Sequence, residues 1–508
     1  MRAWPLPLLF GGVTVLVGAA FSWVPSFWWD EAATISAADR PFGDLLELLA
    51  DWDAVHGLYY ILMHGWFALV GTGEFTARLP GVLALGVGAA AVTATAQMLA
   101  GRRAAVAAGV LFAILPRVTW AATEARSYAF AVGCAAVLSL VLVLALRTHR
   151  ARWWMLYAIV AALATMFFVY SATLLVAHAV TMWALTRGLD SRRRDRAGFV
   201  LAATAGVALS LPFLVLAYSQ VRQVSWIPEL DETVISTILV EQWFPGAPWA
   251  VLVCWTVALV GTVVAAVRGV EPGERTLLWL ALPGFLVPMA LLLAYSVLAS
   301  NMYLDRYLAF TVPAVTLFLG WAVSRAATRW WSLLAVLVAV ALAVAPAYLT
   351  QRQPFGKAGG MDYSVVADRL EGVSRPGDCV AFEPKVSWQP TSPRAVADAR
   401  PDAFEDLVDV GLDETAADRV SLWSSDVAPP VLAERAAAQC TRLWVIADRD
   451  RGTAFTVWHP NDVWWRFDRY RFTDTETYRA LSEAGFTITD QEFVNRLQLI
   501  ELEPAQTQ

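Results

Sequence analysis

The sequence predicts an α-helical polytopic membrane protein of about eleven transmembrane helices, followed by a small α/β domain. Three observations lead there. The 508 residues are 58% hydrophobic and only 16% charged, too apolar for an ordinary soluble enzyme. Uncharged runs at 5–25, 249–267, 276–300 and 330–350 reach the ~20 residues that a helix needs to cross a bilayer. The charges are segregated, with arginines in some connectors and carboxylates in the others.

The first run, Pro5 to Pro25, resembles a signal peptide in position but lacks a small-residue cleavage site, since Pro25-Ser26-Phe27-Trp28-Trp29 follows it. It is read as a retained span. Arginines then gather at Arg102-Arg103, Arg147 to Arg152, Arg187 to Arg196, Arg268 with Arg275, and Arg325 with Arg329. Under the positive-inside rule these connectors are cytoplasmic. The opposite connectors are acidic: residues 27–77 carry Asp30, Glu31, Asp39, Asp44, Glu47, Asp51, Asp53 and Glu74 against Arg40 alone. This alternation predicts spans near 5–25, 78–100, 104–122, 127–146, 153–169, 171–186, 197–217, 249–267, 276–299, 307–323 and 330–350. His56 to Gly71 is apolar but only 16 residues long, and a crossing there would invert every later loop. It is expected to dip into the interface without crossing.

After Thr350 the composition turns polar, which divides the chain into a membrane domain, 1–350, with first outer loop 27–77, and an extracytoplasmic α/β domain, 351–508. Asp378 to Phe382 and Arg442 to Ala447 read as strands. Thr475 to Ala484 reads as a helix, with Asp474 as N-cap and Gly485 as its stop. Of four cysteines, Cys134 and Cys254 fall in apolar runs. Cys379 and Cys440 sit by the two strand-like runs, and neighbouring parallel strands would bring them within bonding distance; two buried free thiols remain the alternative. The segment Trp458 to Trp465, rich in rings, could meet an acceptor glycan or rest on lipid.

Candidate chemistry collects on the acidic side. Trp28-Trp29-Asp30-Glu31 follows the first span: the tryptophans suit an interfacial belt, and the paired carboxylates suit a general base beside an acceptor-positioning acid. Asp53, His56, Tyr59 and Tyr60 open the dipping segment, as a platform for sugar rings or as interfacial anchors. Arg78 opens the second span on the outer side, against the positive-inside trend, and an anionic partner such as a lipid phosphate would account for it. Thr123-Glu124-Ala125-Arg126-Ser127-Tyr128 and Asp305-Arg306-Tyr307 repeat the exception. Ionisable groups so near hydrocarbon are paired or used; internal Glu124–Arg126 or Asp305–Arg306 contacts are the structural alternative. His178, inside the sixth span, is expected to be a satisfied packing histidine.

Taken together, Asp30-Glu31, His56 to Tyr60, Arg78-Leu79-Pro80, Glu124 to Tyr128 and Arg306-Tyr307-Leu308 resemble the polyprenyl-phosphate-sugar-dependent C-type (GT-C) glycosyltransferases. That group includes protein O-mannosyltransferases and the bacterial lipid A aminoarabinose transferase type. The chain departs from it at Gly57-Leu58, where many relatives have prolines, and at Glu124, where many have aspartate. The Ala-, Val- and Arg-biased composition points to a GC-rich bacterial genome, so a bacterial plasma-membrane enzyme is expected, with its site on the acidic, extracytoplasmic side. The resemblance implies a polyprenyl-phosphate-linked sugar as donor, mannose foremost, and a cell-envelope glycan, lipid or protein as acceptor. Asp30 would take the acceptor's proton as it attacks with inversion. Arg78, Arg126 and Arg306 would hold the leaving phosphate, with Glu31, Glu124, Tyr128 and Tyr307 orienting sugar or arginines. No cofactor is required; a divalent metal between acidic loops, as in oligosaccharyltransferases, is not implied. Membrane lipid is a partner and nucleic acid is not. A glycolipid transporter or flippase would more often show two related halves, and a carbohydrate-sensing membrane protein would leave Asp30-Glu31 without a task.

Overall fold

The computed structural model describes residues 5–384, 386, 391–457 and 465–505. The Trp458–Trp464 part of the ring-rich segment lies outside the described residues.

Among the described residues, eight helical segments are long and apolar enough to cross a membrane, and Pro5–Ala19, Ala54–Val70 and Ala151–Phe167 are shorter apolar helices. Glu74–Ile114 is bent at Gly101, where φ is 81°. That left-handed geometry suits a residue without Cβ and separates the two spans read as 78–100 and 104–122. Every span read from hydropathy coincides with a helical segment. Gly57–Val70 forms a 14-residue helix, about 21 Å long at 1.5 Å per residue and short of the ~30 Å hydrocarbon core.

Two compact units divide the chain. The first holds the chain up to Ser22, Asp53–Tyr59 and Arg78–Gln351; the second holds Trp23–Trp52, Tyr60–Ala77 and the chain from Arg352 onward. Packing thus gathers most of the first loop with the tail, whereas composition changes only at 350.

In the first unit, apolar helices gain nothing from hydrophobicity by touching each other inside lipid, so close approach at small residues has to hold them. A Cβ on Gly133 would lie 2.6 Å from the Ala84 carbonyl oxygen, and one on Gly261 would lie 2.4 Å from that of Ala322. The last helix, Trp330–Thr350, is tied at its end: Tyr348 donates to the Val17 carbonyl at 2.9 Å, and Gln351 Nε2 to that of Pro116 at 3.1 Å.

The second unit is built on a mixed sheet. Its strands are β1 (Cys379–Phe382), β2 (Val408–Asp409), β3 (Leu443–Asp448), β6 (Phe486–Phe493) and β7 (Leu497–Pro504), in the order β2-β1-β3-β7-β6; β4 (Phe455–Val457) and β5 (Trp465–Phe467) form a separate hairpin. β1 and β3 are buried along their whole length. They run parallel, with Cys379 opposite Leu443. That register puts Cys379 beside Cys440, at the end of helix Pro429–Gln439, and the two sulfurs are bonded with Cα atoms 5.7 Å apart. The late helix is Glu476–Glu483, capped by the Thr475 hydroxyl accepting from Tyr478 N at 3.1 Å. The expected cap, Asp474, instead ends a short 3₁₀ turn. Gly485 follows at φ 90° and stops the helix as expected.

Two tests follow from this arrangement. In a chain lacking Cys134 and Cys254, single cysteines at the exposed positions Ser300 and Ser482 are expected to react with an impermeant maleimide in intact cells. Those at exposed Ser191 and Thr328 should react only after permeabilisation, and labelling of Ser191 in intact cells would invert the topology. Peptides containing Cys379 and Cys440 should be recovered linked from non-reduced protein. Replacing both with alanine, which opens a loop of 61 residues' separation, is expected to cost the tail about 4 kcal/mol in denaturant unfolding.

Candidate functional site

In the second unit, Asp30 and Glu31 lie in the first turn of helix Trp29–Ala38, where carboxylates favour the positive end of the helix dipole. The extended backbone of Trp28 precedes the helix. Trp28 is buried, and the Trp29 ring meets that of Trp465 at 4.6 Å, tilted by 31°. The two acids differ sharply. Asp30 is partly exposed, whereas Glu31 is fully buried and faces the Lys357 ammonium at 3.4 Å. Tyr60, also in this unit, is buried.

The first unit holds the arginines. Arg78 is fully buried and its Nη1 donates to the Ser22 carbonyl at 2.6 Å. One turn on, a Cβ at Gly81 would touch that of Ala129 at 3.1 Å, so the start of this helix lies against the 124–129 turn. That turn carries Glu124, Arg126 and Tyr128, all buried. Arg126 Nη2 lies 2.8 Å from His56 Nε2. The same His56 nitrogen faces Asp53 Oδ1 at 3.9 Å. Asp53, at φ 57°, donates its amide to Gln223 Oε1 at 3.1 Å, and Ala54 donates to Gln220 Oε1 at 2.8 Å. The two glutamines therefore shape the turn that presents His56. Tyr59 is buried edge-on to Phe130 at 5.8 Å. Tyr59 and Tyr60, read from sequence as a sugar platform or as interfacial anchors, are both buried.

An aromatic wall links the 124–129 turn with the 305–311 turn. Trp120 meets Tyr128 at 5.1 Å, Tyr128 meets Phe168 at 5.7 Å, and Phe168 meets Tyr307 at 5.7 Å. Tyr307 also stacks on Tyr170 at 5.4 Å. Arg306, next to Tyr307, is buried and lies over the Trp226 ring at 5.9 Å. His178 is satisfied as expected, with Tyr157 Oη 2.8 Å from its Nδ1.

Sequence reasoning gave Arg117 no candidate role. It is fully buried and donates to Asp305 Oδ2 at 2.5 Å, to the Gln242 carbonyl at 2.9 Å and to the Glu241 carbonyl at 2.6 Å. Asp305 thus pairs with a residue 188 positions away. The π-helical turn Thr237–Glu241 presents those carbonyls. Tyr303 donates to Gln242 Oε1 at 3.1 Å and Trp243 Nε1 to Thr311 Oγ1 at 3.0 Å, closing the network. Burial pushes Glu241 up to about 7, helped by Asp305 and opposed by the Gly246 amide and Arg117. The one sequence signal for this hub was an arginine between apolar residues, Pro116-Arg117-Val118.

Replacing Arg117 with Met strands the Asp305 carboxylate and frees the 241–242 carbonyls. The variant is expected to lose about 3–5 kcal/mol and to melt lower in detergent, with partial recovery in Arg117→Met/Asp305→Asn. An unchanged melting temperature would mean that the pair does not hold this loop.

With this geometry in place, the comparisons with known proteins can be read. The profile of the dolichyl-phosphate-mannose-protein mannosyltransferase family matches residues 58–216. No curated protein sequence matches the chain. Among solved structures, the chain is similar to ArnT from Cupriavidus metallidurans in the apo state, at 12% identity, 97% coverage of both chains and a TM-score of 0.56. Against ArnT bound to undecaprenyl phosphate the values are 13%, 97% of both chains and 0.53. It is also similar to the archaeal oligosaccharyltransferase AglB from Archaeoglobus fulgidus, in complex with an inhibitory peptide and a dolichol-phosphate. There the identity is 11%, the coverage 97% of this chain and 80% of that one, and the TM-score 0.51. The chain thus shares the overall fold of these membrane proteins.

Proposed function

We propose that the chain is a membrane glycosyltransferase that moves a sugar from a polyprenyl-phosphate donor to an acceptor outside the cytoplasm. The observation that carries this reading is the set of buried arginines at one end of the membrane helices. Arg78 and Arg126 lie by the 124–129 turn, and the Tyr128–Phe168–Tyr307 wall leads to Arg306. Burial of cations beside aromatic faces suits a phosphate whose lipid stays in the bilayer. Structures of the same fold hold undecaprenyl phosphate and a dolichol-phosphate, which supports a lipid-phosphate donor here. The mannosyltransferase profile over 58–216 favours mannose as the sugar.

In this reading the acceptor hydroxyl oxygen attacks the anomeric carbon while the bond from that carbon to the phosphate oxygen breaks. Asp30 receives the hydroxyl proton, and the polyprenyl phosphate departs as an anion stabilised by the arginines. Phosphate is a good leaving group, so no strong general acid is needed. The acidic, outward connectors and the Cys379–Cys440 bond both favour an extracytoplasmic reaction.

The test is an assay of purified protein with radiolabelled polyprenyl-phosphate mannose, arabinose and glucose against a crude membrane acceptor fraction. Transfer is expected with mannose, and transfer from another of the three would reassign the sugar. Asp30→Asn should cut turnover ~10²-fold or more with donor affinity kept; retained turnover would rule out Asp30 as base. Arg78→Ala and Arg306→Ala should weaken donor binding and turnover together, with lysine restoring only part. Unchanged donor affinity in both alanine variants would return these arginines to a packing role.

A further inference from the structure

Only two lysines occur in a chain with 38 basic residues, and one of them, Lys357, is buried. Its ammonium faces Glu31, itself fully buried, at 3.4 Å. We propose that Lys357 is a positioning residue for the sugar transfer, which holds the Asp30–Glu31 pair by neutralising Glu31. The inference rests on the reading of Asp30 given above and deepens it.

The loop that carries Lys357 is built to hold its place. Asp362 Oδ2 accepts from the amides of Asn495, Arg496 and Leu497 at 2.8, 2.7 and 3.0 Å, and Asn495 Nδ2 donates to the Gly360 carbonyl at 2.6 Å. Gly359 and Gly360 both lie at positive φ. A Cβ on Gly359 would lie 1.8 Å from the Trp465 ring, so that ring rests directly on the glycine, and it also meets Trp29 at a 31° tilt. A second seam runs alongside. Ser364 N donates to Ser26 Oγ at 2.8 Å, Phe27 N donates to Ser364 Oγ at 2.9 Å, and Ser26 N donates to the Pro354 carbonyl at 2.8 Å. Lys357 is therefore fixed on both sides by contacts that also fix the residues just before Asp30.

This division of labour separates the two acids. Glu31 is committed to a buried ion pair, and a carboxylate so held is a poor proton acceptor for an incoming sugar or protein hydroxyl. Asp30 stays partly exposed. A compact ammonium suits the slot: it supplies charge without the planar fork of arginine, which demands bidentate partners. The tail residues would thereby set the geometry of the reacting acid.

A double-mutant cycle in the full-length protein tests this, using the transfer assay with the labelled donor found active. Lys357→Met leaves Glu31 uncompensated and should lower kcat ~10-fold or more, with donor KM kept within about two-fold. Glu31→Gln should do the same by stranding the ammonium. The double variant Glu31→Gln/Lys357→Met removes both charges and should turn over several-fold faster than either single variant. Lys357→Arg should keep part of the activity. Wild-type kcat in Lys357→Met overturns the proposal, as does a double variant no faster than the slower single, or a kcat loss equal to the loss of folded protein in size-exclusion chromatography. Asp30→Asn is measured in parallel. If that variant keeps its turnover, the base assignment has failed and this inference falls with it; if it is inactive, a negative cycle counts against Lys357 alone.

Discussion

A charge taken out of water has to be met where it lies, and much of this chain is organised around meeting a few such charges. Arg78 and Arg117 are fully buried, and Glu31 faces Lys357 with neither reaching solvent. Removing one partner from such a pair is far costlier than removing a surface charge, because the remaining ion cannot be rehydrated. The two arginines meet fixed acceptors. Arg78 meets the Ser22 carbonyl in the turn after the first helix, and Arg117 meets two carbonyls and a carboxylate. These acceptors lie where helices end or loosen, since only there are backbone oxygens left over. The charged residues thus mark the ends of the spans and lock the connecting turns at the same time.

The apolar part of the molecule solves a different problem. Lipid is as greasy as the helices, so contact depends on how closely backbones approach. Glycines at 133 and 261 let neighbouring helices approach so closely that a methyl group would collide with a carbonyl. Rigid packing of this kind holds the connecting turns still, and with them the arginines and the aromatic wall that come from several helices. The sheet unit works by ordinary burial, with β1 and β3 in its interior.

How much of this was legible in the sequence follows from the range of the forces involved. Hydropathy and arginine placement act locally, so the spans, the bend between two of them and the switch to a polar tail could be read directly. The strands around Cys379 and before Ala447 were legible for the same reason. The helix cap was misplaced by one residue, to Asp474 in place of Thr475, because both residue types cap well and only backbone geometry chooses between them. Pairings across the chain had no local sign. Asp305 was weighed against its neighbour Arg306, yet its partner is Arg117. Gln220 and Gln223, which hold the turn before His56, look like ordinary loop residues. Lys357 stood out as a rare lysine, but nothing nearby pointed to Glu31.

The seam between Ser26 and Ser364 joins positions 338 residues apart. At a synthesis rate of about 5–20 residues per second, the first loop would leave the ribosome roughly twenty seconds to a minute before its partner. During that interval Glu31 is without Lys357, and helix Trp29–Ala38 is without the tail residues that later pack against it. The glutamate thus meets this counter-ion only once the chain beyond the last span has been made. A prematurely released chain would leave Glu31 without that ammonium.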